Sequence, residues 1–377
     1  MNGYGAAAAA PASLGGMYGS TGPTATETGS DTADHGGARH EREQLAERRV
    51  LLMGLPRSGK TSMIKVVLEN ELAYDTLVLL PTQQRTAYRM LAGITVYDFP
   101  GIDDYSDSQY NTVSPEVYEG DTTALVFVID SQGDIQSAIA TLFSVIRAAQ
   151  SVNLLIPINV MINKVDGLSE ELKQDIQHDI QQRVLKNMSI ENLDPSHVSF
   201  MLTTIYGESI REAFSKVIQR LVPQHSSLET ILNSFCSKSS LDKVFLFDKA
   251  TKVYLSTDSS PTFSPRYAFA CKTIDVVEEI SSLCAPYMPA ASAAAAAAAG
   301  GGGGTGGGGS SAADDDGALL QRVNVGLDGG YDEVFMYQVS HALLLFCFGS
   351  PRIINQTSLL EFNGSKVAKA IRKILSA

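Results

Sequence analysis

The chain of 377 residues contains no tryptophan, only four cysteines and only six histidines. The cysteines Cys236, Cys271, Cys284 and Cys347 show no Cys-x-x-Cys spacing, and the histidines form no metal-ligand pattern. These absences argue against a zinc centre and against a disulfide framework. We therefore expect a reduced cytoplasmic protein with ordinary buried thiols.

The sequence also lacks an excess of basic charge and any long apolar run. Its 29 basic and 41 acidic residues give a net charge of −12, which argues against a nucleic-acid partner and against electrostatic adhesion to membranes. Apolar runs such as 342–348 are too short to cross a bilayer, and no secretory signal opens the chain. Position 2 is Asn2, so a myristoylation glycine is missing, and the C-terminus has no prenylation cysteine. The sequence predicts no direct membrane insertion, and membrane residence would come through a partner.

What the sequence does contain is a phosphate-binding pattern, VLLMGLPRSGKTS, at residues 50–62. Gly54, Gly59, Lys60 and Thr61 supply the Gly-x-x-x-x-Gly-Lys-Thr spacing, between an apolar strand and a helical run. Such a loop surrounds phosphates with backbone N–H groups at a helix N-terminus, where a Cβ would block close approach. Lys60 is placed to neutralise the β and γ oxygens, and the Thr61 hydroxyl to ligate Mg²⁺. The candidate phosphate-binding residues also include Arg57, Ser58 and Ser62.

A second motif, Asp98-x-x-Gly101, follows a predicted strand. A carboxylate in this position can hold Mg²⁺ through a water molecule, and the Gly101 N–H can respond to a γ-phosphate. The pattern is common by chance, so its value depends on its place after the phosphate loop.

The third motif, Asn163-Lys164-x-Asp166, indicates which base the site accepts. The Asp166 carboxylate can accept two N–H bonds from guanine, whereas adenine offers an acceptor there, so unpaired buried groups would reject adenine. Asn163 would tie this loop to the phosphate loop, and the stem of Lys164 would cover the base. Thr204 and Ile205, just after the last predicted strand, can offer N–H groups to the guanine oxygen.

Strands alternate with helices from the first motif to about residue 221, which predicts a doubly wound α/β domain. Its ligand should lie at the carboxyl ends of the strands. We predict a disordered tail over 1–45, a nucleotide-binding domain over 46–225 and a smaller α/β domain over 226–377, interrupted by a flexible Ala/Gly insertion at about 286–319. Three local predictions are a charged helix through 41–49, a phosphate-loop helix that reaches about Leu72, and renewed structure that includes an apolar run over 334–348.

The motifs together define a Ras-like guanine-nucleotide-binding domain, and longer segments make the resemblance more specific. The chain resembles the C/D type of the Rag GTPases over nearly everything except the tail and the insertion. The segments that carry this resemblance are GLPRSGKTS, YDFPG, NKVDGLS, LTTIYGESIREAFSKVIQRLVPQ, VFLFDKATKVYLSTDSSP and TIDVVEEIS.

The resemblance implies a Ras-like GTPase domain followed by a roadblock-like or longin-like α/β domain, with GTP or GDP and Mg²⁺ as cofactors. It implies a heterodimer with an A/B-type Rag partner that signals amino-acid sufficiency to TOR complex 1. The family location is the cytoplasm, at the lysosomal or vacuolar membrane through a scaffold, with the nucleus as a further site; activating proteins assist hydrolysis. Thr82 would be the switch threonine and a Mg²⁺ ligand with Thr61 and Asp98, and Lys60, Thr82 and Gly101 would form the catalytic set.

One residue departs from the family pattern. Ile102 follows Gly101, where Ras-like enzymes usually place a glutamine that orients the attacking water. Two hypotheses therefore stay open: a switch with slow, activator-dependent GTP hydrolysis, and a GTP-binding scaffold with little or no hydrolysis. A third class, an ATP-using kinase or transport ATPase, is disfavoured by the Asn163-Lys164-x-Asp166 motif.

Overall fold

The computed structural model describes residues 48–102, 115–120, 122–284, 319–327, 330–349 and 357–375. These residues form two β-sheets, each covered by helices. The predicted tail and most of the predicted insertion lie outside the described residues, although Leu319 begins a strand. The helix predicted over 41–49 is wrong at its last two residues, because Arg48 and Arg49 belong to the first strand.

The first sheet has six strands in the order β2-β3-β1-β4-β5-β6. Every neighbouring pair is parallel except β2 with β3, which confirms the predicted parallel-dominated sheet. The central strand β4 is buried along nearly its whole length, as expected of a parallel strand covered on both faces. The strands are β1 Arg48–Gly54, β2 Thr86–Arg89, β3 Ile94–Asp98, β4 Thr123–Asp130, β5 Ile158–Asn163 and β6 Val198–Leu202.

Helices lie on both faces of this sheet, and the alternation of β1 shows how the faces divide. Val50 and Leu52 pack with one pair of helices, whereas Leu51 and Met53 pack with the other pair. The first face carries α1 Lys60–Leu68 and α4 Ser209–Leu221, and the second carries α2 Ile135–Val152 and α3 Glu170–Ile190.

The phosphate-loop helix α1 is shorter than predicted. It ends at Leu68 rather than near Leu72, and the N–H of Glu69 donates to the Lys65 carbonyl at 3.1 Å. Asn70 then adopts a left-handed φ of 52°, which ends the helix because α-helical residues need a negative φ. The segment that follows contains a short 3₁₀ helix, Asp75–Val78.

The second sheet is antiparallel throughout, in the order β8-β7-β11-β10-β9. The apolar run predicted over 334–348 is two strands, because the chain turns where the Leu343 N–H donates to the Ser340 carbonyl. The strands are β7 Leu241–Asp248, β8 Tyr254–Thr257, β9 Leu319–Leu327, β10 Gly330–Gln338 and β11 Leu343–Gly349.

In the part of the chain that the structure describes, three helices cover the second sheet. Helices α5 (His225–Ser239) and α7 (Thr357–Leu375) pack on one face, and α6 (Ser264–Cys284) packs on the other. Aromatic side chains fill the space under α6, where the rings of Phe247 and Tyr267 are stacked with centroids 5.8 Å apart.

The apolar core of α4 continues into α5 and the second sheet. Polar contacts also join the two parts: Asn70 Nδ2 donates to the Ala250 carbonyl at 2.7 Å, and the Tyr254 N–H donates to Ser215 Oγ at 3.0 Å. The division near residue 225 stays a prediction. Among the described helices, none is long and apolar enough to cross a membrane.

Candidate functional site

The three sequence motifs meet at one edge of the first sheet. They follow the carboxyl ends of β1, β3 and β5, and the Thr204–Ile205 segment follows β6. Neighbouring parallel strands end at the same edge, so these loops lie side by side. The predicted site residues are therefore brought to one place.

The phosphate loop runs from Gly54 directly into α1. Lys60 is almost completely buried, and its Nζ donates to the carbonyls of Gly54 at 3.0 Å and Leu55 at 2.8 Å. Gly59 has a φ of 99°, and a Cβ there would lie 2.4 Å from Asn163 Nδ2. Glycine is required at this position both for its conformation and for the approach of the third motif. Arg57 is exposed and also adopts a positive φ of 59°.

The third motif is tied to the phosphate loop by two side chains. Asn163 Nδ2 donates to the Ser58 carbonyl at 2.9 Å, in the role predicted for it. Lys164 Nζ donates to the Arg57 carbonyl at 2.7 Å and to Asp130 Oδ2 at 2.7 Å.

Sequence reasoning missed three residues that support Lys164, and one of them is Ser131, whose Oγ donates to the Lys164 carbonyl at 3.0 Å. Asp130 ends β4 and pairs with the Lys164 ammonium group, and Gln132 Nε2 donates to the Lys164 carbonyl at 2.9 Å. The only signal in the sequence was that these residues lie at the end of a buried strand or within two positions after it.

Asp166, the residue expected to recognise the base, is exposed at this edge. Thr204 Oγ1 donates to Asp166 Oδ1 at 2.8 Å, so the two loops expected to hold guanine are in contact. The Thr204 N–H donates to Ser209 Oγ at 3.0 Å. Ile205 is half-buried, and its side chain packs against the core.

The residues expected to hold the metal form a compact polar cluster. Thr61 Oγ1 donates to Asp98 Oδ2 at 2.7 Å, Thr82 Oγ1 donates to the same oxygen at 3.2 Å, and the two hydroxyls are 2.7 Å apart. Ser62 does not join this cluster, because its Oγ faces the Thr76 carbonyl at 3.4 Å. Thr82, transferred from the family resemblance, thus lies beside the two residues chosen from motifs.

Asp98 is fully buried, and its environment fits a cation. Its Oδ1 has no hydrogen-bond partner among the residues that the structure describes. Burial raises the pKa of the Asp98 carboxyl, while the hydrogen bond from Thr61, the charge of Lys60 and the hydrogen bond from Thr82 act in the opposite direction. One carboxylate and two hydroxyls suit Mg²⁺, which prefers oxygen ligands and takes the rest from water and phosphate.

Gly101 and Ile102 lie against the phosphate loop. A Cβ on Gly101 would lie 2.5 Å from Pro56 Cα, and the Ile102 N–H donates to the Gly54 carbonyl at 3.1 Å. The Ile102 side chain is only 2% exposed and belongs to the apolar core that contains Phe99. It therefore points into the core. Asp103 and Asp104, the two carboxylates that could replace the missing glutamine, lie outside the described residues.

Comparison with known proteins agrees with this geometry. The family profile of the Gtr1/RagA G protein conserved region matches residues 49–281, which include all the motif residues and the first strands of the second sheet. The chain belongs to this family. The predicted resemblance to the Rag GTPases is thereby confirmed.

Individual relatives place the chain with the C/D type of the Rag family. It is 43% identical over 239 residues to the Ras-related GTP-binding protein D of Mus musculus, covering 62% of this chain and 53% of that protein. It is 42% identical over 241 residues to the GTP-binding protein gtr2 of Schizosaccharomyces pombe, covering 63% and 76%. Identity to the Ras-related GTP-binding protein A of Dictyostelium discoideum is 28% over 215 residues, covering 56% and 69%. The chain thus spans about half the length of the mouse relative.

Proposed function

We propose that the chain is a guanine-nucleotide switch of the Rag C/D type that binds GTP and GDP with Mg²⁺. The observation that carries this proposal is the hydrogen bond from Asn163 to the Ser58 carbonyl, which joins the guanine-reading motif to the phosphate loop. Thr61, Thr82 and Asp98 at the same edge would hold Mg²⁺, and Lys60 would turn from its loop carbonyls to the phosphates. Bound Mg²⁺ would neutralise charge on the phosphate oxygens.

Base recognition is tested by changing Asp166. Guanine presents two N–H groups to a carboxylate, whereas xanthine has a carbonyl in place of the amino group. We expect Asp166→Asn to lose affinity for GDP and to gain affinity for xanthosine diphosphate, because the amide can both accept and donate. Competition against a fluorescent nucleotide would measure both affinities.

The matched control for this experiment is Asp134→Asn. Asp134 caps α2, a position where asparagine serves equally well. We expect this variant to keep the wild-type preference for guanine. Binding of ATP in preference to GTP by the unaltered chain would contradict the proposal.

The rate of GTP hydrolysis distinguishes two forms of this proposal, a switch and a scaffold. The switch hydrolyses GTP slowly and depends on an activating protein, as proposed for the family catalytic set of Lys60, Thr82 and Gly101. The alternative, a GTP-binding scaffold with little or no hydrolysis, is favoured by one observation: the side chain of Ile102 lies in the core and has no group that could orient water.

A single-turnover assay separates these alternatives. The chain would be loaded with GTP and followed alone, with an A/B-type Rag partner, and with an activating protein. Conversion to GDP that is abolished by Lys60→Ala, in a variant shown to retain GTP, supports the switch. GTP that stays intact under all three conditions supports the scaffold.

We further propose that the second sheet pairs with an A/B-type Rag protein. Strand β9 lies at the edge of the sheet that the described strands form, and helix α6 carries an exposed apolar stripe of Val276, Ile280 and Leu283. Residues spaced by four and three positions lie on one helix face, which a partner helix could cover. The −12 charge and the apolar stripe together favour a protein partner over a membrane.

Copurification tests this pairing. We expect Ile280→Lys to abolish capture of the A/B-type partner, while Leu172→Lys at an exposed apolar position on α3 leaves it intact. Equal capture by both variants would place the interface elsewhere. Through this heterodimer, we propose, the chain acts on TOR complex 1 at lysosomal or vacuolar membranes, held there by a scaffold.

A further inference from the structure

Two tyrosines touch across loops that carry different ends of the candidate site. Tyr74 lies directly before the 3₁₀ helix that leads to Thr82, and Tyr206 follows β6 in the loop that carries Thr204. Their ring centroids are 5.4 Å apart with an interplanar angle of 54°. This is a favourable tilted aromatic contact, which adds to the attraction that burial alone provides.

The pair lies at the surface rather than in the core. Tyr74 is 74% exposed and Tyr206 is 45% exposed. Because the two rings bury little surface, the stability of the fold depends little on them. A contact of this kind can form and separate while the rest of the domain stays folded.

Tyr206 is linked to the base-reading end of the site. Its N–H donates to Thr204 Oγ1 at 3.3 Å, and the same hydroxyl donates to Asp166 Oδ1 at 2.8 Å. Movement of Tyr206 is thus coupled to the loop that would hold guanine.

Tyr74 is linked to the metal end. The chain continues from Tyr74 through the 3₁₀ helix, whose Thr76 carbonyl faces Ser62 Oγ at 3.4 Å, to Thr82. Thr82 Oγ1 in turn contacts Asp98 Oδ2 at 3.2 Å. The two tyrosines therefore join the base side and the metal side around the outside of the site.

We propose that the Tyr74–Tyr206 pair holds the switch segment, residues 74–82, against the guanine-reading loop that carries Thr204, and that this contact slows nucleotide release. This inference rests on the proposed function. A nucleotide held between these two segments leaves when they move apart, and the ring contact resists that separation. Both tyrosines would be positioning residues, because they would act through the segments that carry Thr82 and Thr204.

The test is the rate at which the full-length chain releases fluorescent mant-GDP into excess unlabelled GDP and Mg²⁺. We expect Tyr74→Ala and Tyr206→Ala each to speed release by roughly three- to tenfold, from the usual strength of an aromatic pair. The double variant should release at about the rate of the faster single variant, because either change already removes the whole contact. Tyr74→Phe keeps the ring and should keep the wild-type rate.

Two controls separate this role from a structural one. Val78→Ala changes a side chain of the same segment that is 83% exposed, and it should leave the release rate unchanged. The preference for GDP over ADP should be unaltered in every variant, and the thermal midpoint of the nucleotide-free protein should shift by no more than a few degrees.

Wild-type release rates in the single variants, or effects that multiply in the double variant, would overturn the inference while leaving the proposed function in place. A wild-type chain that retains no mant-GDP would overturn both.

Discussion

Buried charged groups in the two sheets have different partners. At the edge of the first sheet, Asp98 is fully buried, yet one of its oxygens has no partner among the described residues. In the second sheet, Lys243 and Asp258 are equally buried but pair with each other at 3.4 Å, and Lys243 also donates to the Asp258 carbonyl at 3.1 Å.

This difference indicates what each part of the molecule is for. A buried carboxylate with an unused oxygen is costly unless something else binds it, which is the expected state of a ligand site. A buried pair whose bonds are made within the chain needs no ligand and contributes to the fold instead. This difference agrees with the proposal that nucleotide and metal bind at the edge of the first sheet.

The largest effect is expected from breaking the buried Lys243–Asp258 ion pair. Lys243→Ala leaves Asp258 charged and buried without its partner, which typically costs about 3–5 kcal/mol in the free energy of unfolding. Denaturant unfolding at neutral pH would measure this loss.

Two control variants keep that prediction sharp. Lys249 and Glu278 form an ion pair of the same 3.4 Å length at the surface, so Lys249→Ala should cost at most about 1 kcal/mol. The double variant Lys243→Met/Asp258→Asn should recover only part of the stability. It removes both charges, but the two oxygens of Asp258 also accept from the Val244 and Ser260 N–H groups, and one amide oxygen replaces only one of these acceptors. A cost below about 1 kcal/mol for Lys243→Ala would show that Lys243 and Asp258 do not form a buried ion pair.

Asp98→Asn tests the candidate metal site, so its effect on stability should depend on whether nucleotide and Mg²⁺ are bound. Without nucleotide we expect no loss of stability, because the substitution removes a desolvated charge. At a GDP and Mg²⁺ concentration near 100 times the dissociation constant, the wild-type chain should gain about 2.7 kcal/mol. The variant should lose most of that gain in a thermal or denaturant titration. A variant that is destabilised without ligand and still stabilised by Mg²⁺ would contradict a metal role for Asp98.

Ile102→Gln tests whether the side chain at position 102 faces the apolar core or the nucleotide. The side chain at this position lies in the core, so a buried amide should cost about 1–3 kcal/mol and should not restore GTP hydrolysis. Ile102→Leu, which conserves volume, should cost less than about 1.5 kcal/mol. Faster single-turnover hydrolysis in Ile102→Gln would show instead that position 102 faces the nucleotide in the loaded state.

The smallest effect is expected from pH. Burial raises the pKa of Asp98, so the folded, nucleotide-free protein keeps this proton to a higher pH than the unfolded chain. Its contribution to stability is therefore present at low pH and is lost as the pH rises from the ordinary value of 3.8 through the raised folded value. Mg²⁺ affinity should rise over the same window, because the metal needs the ionised form. Mg²⁺ titrations from about pH 4 to 7 would show this trend, and Asp98→Asn should remove it.

Much of this molecule could be predicted from local patterns. Strict spacing around Gly54, Gly59 and Lys60 and the apolar run of β4 indicated a phosphate loop in a doubly wound domain, since both depend on neighbouring residues only. Helix ends were less predictable: α1 stops at Leu68 because Asn70 adopts a left-handed conformation, which its sequence neighbours do not reveal. The turn at Ser340 was also missed, because it lies within an apolar run and depends on how the two strands pair.

The sequence by itself determined the types of residue at the site and their order, because motif spacing sets which groups a loop can present. Only the tertiary structure decided which way the side chains point. It turned Ile102 into the core and Ser62 toward Thr76, and it brought Asp130 to Lys164 and Tyr74 to Tyr206. Such contacts join residues far apart in the chain, and their geometry depends on how sheets and helices pack rather than on any local pattern.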